Sequence, residues 1–314
     1  AGKHTLIRPV PGPDVQSDFR RHEYLQAVEE IKEKIRSGDT YQTNLTQQLS
    51  AKLPDILTAE QIFTDLRKTH PAPFSAFIRR NDSTVISASP ERFFRIENGV
   101  ITTSPIKGTR PRGRTPHEDA FLRHELLTSS KDRAENTMIV DLLRNDLGRV
   151  CETGSVEVAG WGRLLPLPTV FHLVSTVRGR LRAEVTFSDI LTAVFPCGSI
   201  TGAPKIRTMR IIDEIETAPR GLSMGAIGYS IQMAKGKRQK AKSRIHQSPF
   251  ALDRSLDLSV AIRTMVVRGR EAIFNVGGGI VIDSDAEDEF KETVVKSRAL
   301  LTAVGAPQKD FPDR

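Results

Sequence analysis

The sequence has few residues of three types that mark particular classes of protein. Its 314 residues include two cysteines, three tyrosines and one tryptophan. The two cysteines, Cys151 and Cys197, have no CxxC spacing and are too few for a disulfide framework or a cysteine-based zinc site. We therefore expect both thiols to be reduced and to serve structural roles.

Long apolar runs are also absent. No stretch approaches the ~18 consecutive apolar residues that a membrane-spanning helix needs. The first residues, AGKHTLIRPVPGPD, lack the apolar core and the cleavage pattern of a secretory signal peptide. These two absences predict a cytoplasmic protein with no membrane partner.

The positive charge of the chain is concentrated in one segment. The formal net charge is +8, but six of the ten residues at 235–244, KGKRQKAKSR, are basic, which leaves the rest of the chain near +2. The segment has no interleaved aromatic residues, so we expect a solvated insertion loop over 234–254 and no nucleic-acid partner.

Strand and helix patterns alternate along the chain without regular βαβ periodicity. Residues 1–20 are proline-rich and irregular, residues 21–303 form the expected domain, and residues 304–314 form a tail. Long hairpin-type strands alternating with pairs of helices predict an α+β fold with mostly antiparallel sheets. The predicted helices cover about 19–37, 58–70, 132–147, 186–195, 204–216 and 286–303, and a further helix begins at Thr115-Pro116. The predicted strands cover 41–53, 74–80, 84–89, 92–96, 100–106, 169–181, 222–233, 256–268 and 270–282.

One lysine stands at a position where the pattern changes. In TTSPIKGTRPRG, a short β-branched segment follows the turn pair Asn98-Gly99 and reads as the second strand of a hairpin. Lys107 then falls where we expect that strand to end. From this stretch alone, a solvated surface charge is the commoner explanation.

Two predicted helices carry carboxylates at i,i+3 spacing, which places each pair on one helix face. The pairs are Asp132 with Glu135, and Glu289 with Glu292. Both lie beside apolar positions, and an inward-facing carboxylate needs a partner. Oxygen ligands without nearby histidine or cysteine suit Mg²⁺.

Other polar residues occur at strand ends and glycine-rich turns. PCGSITGAPK leads into a helix, where Ser199 and Thr201 add hydroxyl donors to a possible anion site. The triplet Gly277, Gly278 and Gly279 permits either tight packing or the close approach of a ligand. His172 alternates with apolar residues and is most simply a core histidine. Arg263, within an apolar strand, requires an anionic partner, and Glu91 is a positioned acid or a surface charge.

Taken together, these segments resemble the chorismate-utilising enzymes over about residues 20–303. The resemblance rests on the following segments, in order: SASPERFF, PIKGTRPRG, AENTMIVDLLRNDLGRV, PTVFHLVST, PCGSITGAPK, RGLSMGAIGY, VAIRT and GGGIVIDSD followed by DEFKETVVKSRAL. It implies a layered α/β/β/α sandwich whose N-terminal part is missing from this chain.

The resemblance also implies a reaction. The form PIKGT is similar to that of members that convert chorismate and ammonia to 4-amino-4-deoxychorismate, on the route to para-aminobenzoate and folate. Lys107 would attack ring carbon C2 as a free amine, favoured by desolvation, while Glu91 serves as general acid. Ammonia would come from a separate glutamine amidotransferase subunit, because neither cysteine lies in a recognisable glutaminase setting.

The resemblance assigns further residues to the site. Glu135 and Glu292 match Mg²⁺ ligands, supported by Glu289 and Asp132. Gln42 matches the place where water-using relatives carry a lysine base, so its identity favours an ammonia-using member. The remaining residues match substrate contacts or lie beside them: His172, Ser199, Thr201, Arg263, Gly277, Gly278, Gly279 and Lys296.

Some features depart from the family pattern and leave alternatives open. Ser223 stands where relatives typically have tyrosine, and Ala286 replaces a frequent proline. Anthranilate synthase component I is the enzymatic alternative, with Lys107 as the discriminating residue. The other alternative is a truncated chorismate-binding module with little turnover.

Overall fold

A computed structural model of the protein describes residues 13–168, 170–232 and 254–306. Its seven α-helices are α1 Arg21–Arg36, α2 Ala59–Thr69, α3 Pro116–Thr128, α4 Ser130–Gly148, α5 Phe187–Val194, α6 Lys205–Ile215 and α7 Ala286–Ala303. Its strands are β1 Val15–Ser17, β2 Gln42–Lys52, β3 Phe74–Arg79, β4 Thr84–Ser89, β5 Arg92–Glu97, β6 Val100–Thr103, β7 Ile106–Pro111, β8 Glu157–Pro166, β9 Val170–Arg180, β10 Gly202–Ala203, β11 Ala226–Gln232, β12 Arg254–Val260, β13 Thr264–Arg268 and β14 Glu271–Ile280.

The helices begin where the sequence signals place them. Thr58 and Gln61 form the expected capping box of α2, and Thr115 caps α3 with Pro116 at its first position. In α7, where Ala286 replaces the proline, Asp285 caps the helix by accepting a hydrogen bond from the Asp288 amide. The predicted helices are confirmed to within a few residues at their ends.

All strand pairs in the described chain are antiparallel and form two sheets. The first has the order β1-β2-β14-β13-β4-β3, with β10 also paired to β2. The second has the order β11-β12-β5-β6-β9-β7, with β8 also paired to β9. This topology confirms the α+β class with antiparallel sheets.

Each sheet packs its own helices around a separate apolar core. The first core joins α1, α2 and α7 to the first sheet, through Tyr24, Leu49 and Phe274 among others. The second core joins α4 and α5 to the second sheet, through Ile139 and Val177 among others. Burial of these side chains supplies most of the driving force for folding. The result is a layered arrangement of helices and two sheets.

Two of the connections between the sheets are short crossovers that lie side by side. The first joins β4 to β5 through Glu91, and the second joins β12 to β13 through Arg263. The Val260 amide donates to the Glu91 carbonyl, and the Ala88 amide donates to the Arg263 carbonyl. The predicted single strand at 256–268 is therefore two strands in different sheets.

The ends of the domain differ in detail from the sequence expectation. In the segment expected to be irregular, Val15–Ser17 forms an edge strand paired with β2. Val304 and Ala306, in the expected tail, are buried in the first core. The basic segment 235–244 lies outside the described residues. Among the described residues, no helix has the length and apolar character needed to cross a membrane.

Candidate active site

A cavity of about 190 Å³ lies where the two crossovers meet the glycine-rich strand β14. It collects polar residues from distant parts of the chain, and the predicted site residues that line it are Glu91, Lys107, Ser199, Arg263, Gly277, Gly279 and Lys296. Three of these are cations and one is a carboxylic acid. The cavity therefore suits a small ligand with negative charges.

Lys107 lies in a β-bulge and not at the end of a strand, as the sequence suggested. The ladder between β7 and β9 shifts between Ile106 and Thr109, and Gly108 within the shift has a φ of +80°. A bulge redirects one side chain, and its left-handed residue is most easily glycine. A Cβ at position 108 would also lie 2.8 Å from Leu126 Cδ1. The glycine of PIKGT thus permits the backbone that aims half-buried Lys107 at the cavity.

Glu91 lies on the first crossover and is almost completely buried. Its Oε1 atom has no hydrogen-bond partner among the described residues. Burial raises the pKa of Glu91, while Ser199 and the positive charge of Lys107 offset part of that rise. A carboxyl group whose pKa is raised can hold a proton and donate it, as a general acid must.

Ser199 and Thr201 have different roles, although they are two residues apart. Ser199 belongs to a 3-10 turn, Gly198–Ile200, and lines the cavity. Thr201 is buried, and its hydroxyl donates to the Cys197 carbonyl at 2.9 Å. Thr201 does not line the cavity but lines a neighbouring groove, so its contact with a ligand stays a prediction.

Arg263 is exposed on the second crossover and not enclosed in a strand, as the apolar pattern suggested. Its φ of +48° breaks the strand and turns the side chain to the cavity. No ion pair joins Arg263 to another described residue.

Buried His172, on β9, forms a hydrogen bond between its Nδ1 and Thr109 Oγ1 at 2.8 Å. Burial, and secondarily the charge of Arg263, lowers the pKa of His172 and favours neutral imidazole.

Gly277 and Gly279 of β14 line the cavity, and Gly278 between them faces Lys296 and the carboxylates of α7. The Lys296 ammonium donates to the Gly277 carbonyl at 3.0 Å and pairs with Glu292 Oε1 at 2.5 Å. A Cβ at Gly279 would lie 2.2 Å from Gln42 Nε2, so Gln42 packs directly on that glycine. Gln42 is fully buried, and its Oε1 atom has no partner among the described residues.

The four predicted metal ligands are only partly brought together. Glu289 and Glu292 face Gly278. Burial raises the pKa of Glu289, the Ser284 hydrogen bond offsets part of that rise, and the negative charge of Glu292 adds to it. Asp132 pairs with Arg110 at 3.1 Å beside Gly108, and Glu135 is half-buried on the same helix face. Glu292 is exposed, contrary to the inward placement expected from its apolar neighbours.

Oxygen-only donors with mutual repulsion fit a hard cation such as Mg²⁺. Within the described ranges, however, no three His, Cys, Asp or Glu side chains form a group that could hold a metal ion by themselves. The metal assignment therefore remains a prediction.

Several residues around the cavity were not singled out from the sequence. Asn44 and Asn275 line it, as do Ile200 and Met224. The last two also line a larger surface groove of about 460 Å³, together with Ser223. An isolated asparagine in a strand gives no periodic signal, so only the pairing of β2 with β14 could reveal its position.

Comparison with known proteins agrees with this geometry. The sequence model of the family described as chorismate binding enzyme matches residues 3–235 and 250–302 and omits most of the basic segment. An aminodeoxychorismate synthase from Streptomyces pristinaespiralis is 43% identical over 94% of this chain. An anthranilate synthase component 1 from Haloarcula marismortui is 43% identical over 92% of it. The chain spans 38% and 55% of these two relatives, respectively.

A solved structure shares the fold. Anthranilate synthase component I from Streptococcus pneumoniae superposes with a TM-score of 0.77 and 35% identity, over 94% of this chain and 60% of the other. The family match covers most of the chain, and the solved structure covers both sheets. The chain belongs to the chorismate binding enzyme family.

Proposed function

We propose that this chain is the chorismate-aminating component of an aminodeoxychorismate synthase, converting chorismate and ammonia to 4-amino-4-deoxychorismate. The observation that carries the proposal is the shared cavity of Lys107 and Glu91, a potential nucleophile beside a protonatable acid. The 43% identity to a synthase of that name supports it. The equal identity to an anthranilate synthase makes that activity the second candidate.

The reaction proceeds in two displacements. Lys107 first transfers a proton to Glu91, which gives a free amine and a protonated acid. The Lys107 Nζ lone pair then forms a bond to C2 of chorismate, the ring double bonds shift, and the C4–O bond breaks. Glu91 donates the proton that lets this oxygen leave as water. Ammonia then bonds to C4, the double bonds shift back, and the C2–N bond breaks so that its electron pair returns to Lys107. The resulting Glu91 carboxylate accepts the surplus ammonia proton.

The other residues hold the substrate. Arg263 and Lys296 supply positive charge for the two carboxylates of chorismate. Glu135 and Glu292, supported by Glu289 and Asp132, would hold Mg²⁺, which neutralises carboxylate charge when bound.

Ammonia requires a separate source. Both cysteines of the chain are buried, and burial raises the pKa of each thiol to about 11. Such thiols are poor nucleophiles, so neither suits glutamine hydrolysis. We therefore propose a glutamine amidotransferase partner, for which ammonium salts substitute in the assay.

The test is a chromatographic product assay with chorismate, Mg²⁺ and ammonium. Lys107→Ala should lower product formation by orders of magnitude while chorismate still binds. Lys107→Arg should not restore it, because a guanidinium stays protonated and cannot attack carbon. Exposed Lys291, paired with Asp288, provides the control variant Lys291→Ala. Near-normal turnover by Lys107→Arg would refute covalent catalysis, and anthranilate as product would favour the second candidate.

A further inference from the structure

One edge of β2 is interrupted between two partner strands. In the described chain, β10 pairs only with the first two residues of β2, and β1 pairs only with residues 49–51. Backbone groups between these points need other partners, because a buried unpaired group is costly. An ion pair supplies them: the Glu216 carboxylate accepts from the Thr46 amide at 2.7 Å, and the Arg220 guanidinium donates to the Asn44 carbonyl at 2.7 Å.

This ion pair is closely matched and mostly buried. The Nε and Nη2 atoms of Arg220 donate to the two carboxylate oxygens of Glu216 at 2.8 Å and 2.7 Å. The Thr46 hydroxyl adds a bond to the same carboxylate at 2.9 Å. The side chains of Arg220 and Glu216 are 14% and 4% exposed. A two-point contact fixes the plane of a guanidinium, so the remaining nitrogen, Nη1, has a defined direction.

The Nη1 atom holds the turn that carries Ser199. It donates to the carbonyl of Ile200, the last residue of that turn, at 2.8 Å. The two amide bonds that close the turn are both 3.3 Å long, so the turn gains support from this outside donor. Ile200 and Asn44, whose carbonyls the guanidinium joins, both line the cavity. Arg220 does not line the cavity and faces the neighbouring groove, so it acts on the cavity only through other residues.

Ser199 connects this turn to the general acid. Burial raises the pKa of Glu91, and a hydrogen bond from Ser199, followed by the positive charge of Lys107 on β7, lowers that pKa in part. Buried Cys197, just before the turn, also faces Glu91, but burial raises the pKa of its thiol to about 11, so the thiol stays neutral. The position of the Ser199 hydroxyl therefore affects how readily Glu91 holds its proton.

We propose that Arg220 is a positioning residue that holds Ser199 against Glu91 through the Ile200 carbonyl, with Glu216 fixing the guanidinium. The inference rests on the proposed function, in which Glu91 is the general acid. Arginine suits this role because its planar fork reaches one carboxylate and two backbone carbonyls at once, which the single nitrogen of lysine cannot do.

The first test is Arg220→Lys, which keeps the positive charge and loses the fork. The kcat with chorismate and ammonium should fall at least about tenfold, because a small displacement of the site is sufficient for such a loss. The chorismate KM should stay within about twofold of wild type, since Arg263 and Lys296 are unchanged. Arg182→Lys is the matched control and should keep wild-type kinetics, because Arg182 also donates to one carboxylate and two backbone carbonyls but does not line the cavity.

Comparison with Ser199→Ala separates positioning from a general loss of stability. If Arg220 acts through Ser199, the double variant should have nearly the same kcat as Ser199→Ala alone. In both single variants, the acidic limb of the profile of kcat against pH should move to higher pH, because each variant loses the hydrogen bond that lowers the pKa of Glu91. Additive losses of kcat, or an acidic limb that does not move, would show a structural role and overturn the inference. A rise in the chorismate KM without a fall in kcat would also overturn it.

A second variant covers the case in which Arg220→Lys does not fold. Glu216→Gln keeps an oxygen that accepts from the guanidinium and so loosens the pair without removing it. It should move the acidic limb in the same direction, and a folded Glu216→Gln variant with wild-type kcat and acidic limb would overturn the inference. If wild type shows no ammonium-dependent consumption of chorismate, the proposed function fails; if wild type is active and Arg220→Lys keeps its kcat, only the positioning role fails.

Discussion

Replacing Gly278 by alanine should change the stability of the protein little but should weaken ligand binding beside β14. A Cβ at this position would lie 3.2 Å from Glu289 Oε2, 3.6 Å from Lys296 Nζ and 3.8 Å from Glu292 Oε1. The first contact is tight, but its partner is the end of a flexible side chain. Alanine also reduces the entropy of the unfolded chain, which contributes about 0.4–1 kcal/mol of stability. We therefore expect the free energy of unfolding to change by less than about 1 kcal/mol.

The effect on ligand binding should be much larger. The methyl group should shift the Glu289 carboxylate, because only that contact is tight, and Mg²⁺ tolerates little deviation from octahedral geometry. Calorimetry should show Mg²⁺-dependent chorismate binding weakened at least about tenfold, or about 1.4 kcal/mol. Glu292→Gln, which removes one charge from the same pair, should give a similar loss without the added carbon.

Gly277→Ala is the contrasting variant for stability. Its Cβ would lie 1.9 Å from the Leu45 carbonyl oxygen, which belongs to the paired strand and cannot rotate away. Urea unfolding should show a loss of at least about 2 kcal/mol. If Gly278→Ala binds chorismate as tightly as wild type in Mg²⁺, or is destabilised as much as Gly277→Ala, the proposed role of this carboxylate pair is refuted.

Two further predictions concern buried charge. Burial raises the pKa of Glu91 above its ordinary value of 4.5. The folded state therefore binds this proton more tightly than the unfolded state does, which stabilises the fold fully below pH 4.5. That stabilisation is lost as the pH rises through the pKa of Glu91 in the folded state. At pH 8, the Glu91→Gln variant should therefore unfold at a higher urea concentration than wild type, and the difference should be smaller at pH 5. The variant should also lose turnover. An equal or lower urea midpoint for the variant at pH 8 would contradict this prediction. Lys205 pairs with buried Asp146 and donates to the Val194 carbonyl at 2.9 Å, so Lys205→Met should cost about 3–5 kcal/mol by leaving the carboxylate alone. Adding Asp146→Leu should recover most of that loss in urea unfolding, and a cost below about 1 kcal/mol for the single variant would show that the pair contributes little.

The sequence predicts those parts of the fold that depend on local chemistry. The Thr58 capping box, the Thr115 cap and the Asn98-Gly99 turn each need only nearby residues, and the structure contains all three. Strand β8 was not predicted, because Gly160 and Gly162 interrupt its alternation and its ladder with β9 contains two register shifts. The segment forms a strand because it pairs with β9, and the local sequence pattern does not indicate that pairing.

The site was predicted less completely, because the positions of its residues also depend on pairing between distant strands. Lys107 was recognised by its motif, but its bulge depends on the register of β7 against β9. The break at Arg263 depends on the change of sheet between β12 and β13. Asn44 and Asn275 were not predicted from the sequence. Their distinguishing feature is a buried Oδ1 atom with no hydrogen-bond partner among the described residues, and recognising it requires the position of every neighbouring group.

The polar groups of the cavity occur where regular strand pairing is interrupted, and this has a physical reason. Within a ladder, side chains alternate between two fixed faces, so groups from different sheets rarely converge on one point. The bulge at Lys107 and the crossovers at Glu91 and Arg263 release the backbone from that alternation. Each interruption would leave buried backbone groups unpaired, but the two crossovers satisfy each other through the Val260 amide and the Ala88 amide. The Ser89 hydroxyl adds a bond to the Val260 carbonyl at 2.6 Å. The same hydrogen bonds that make the crossovers stable therefore fix the acid and the guanidinium relative to each other, so weakening this network should affect catalysis and folding together.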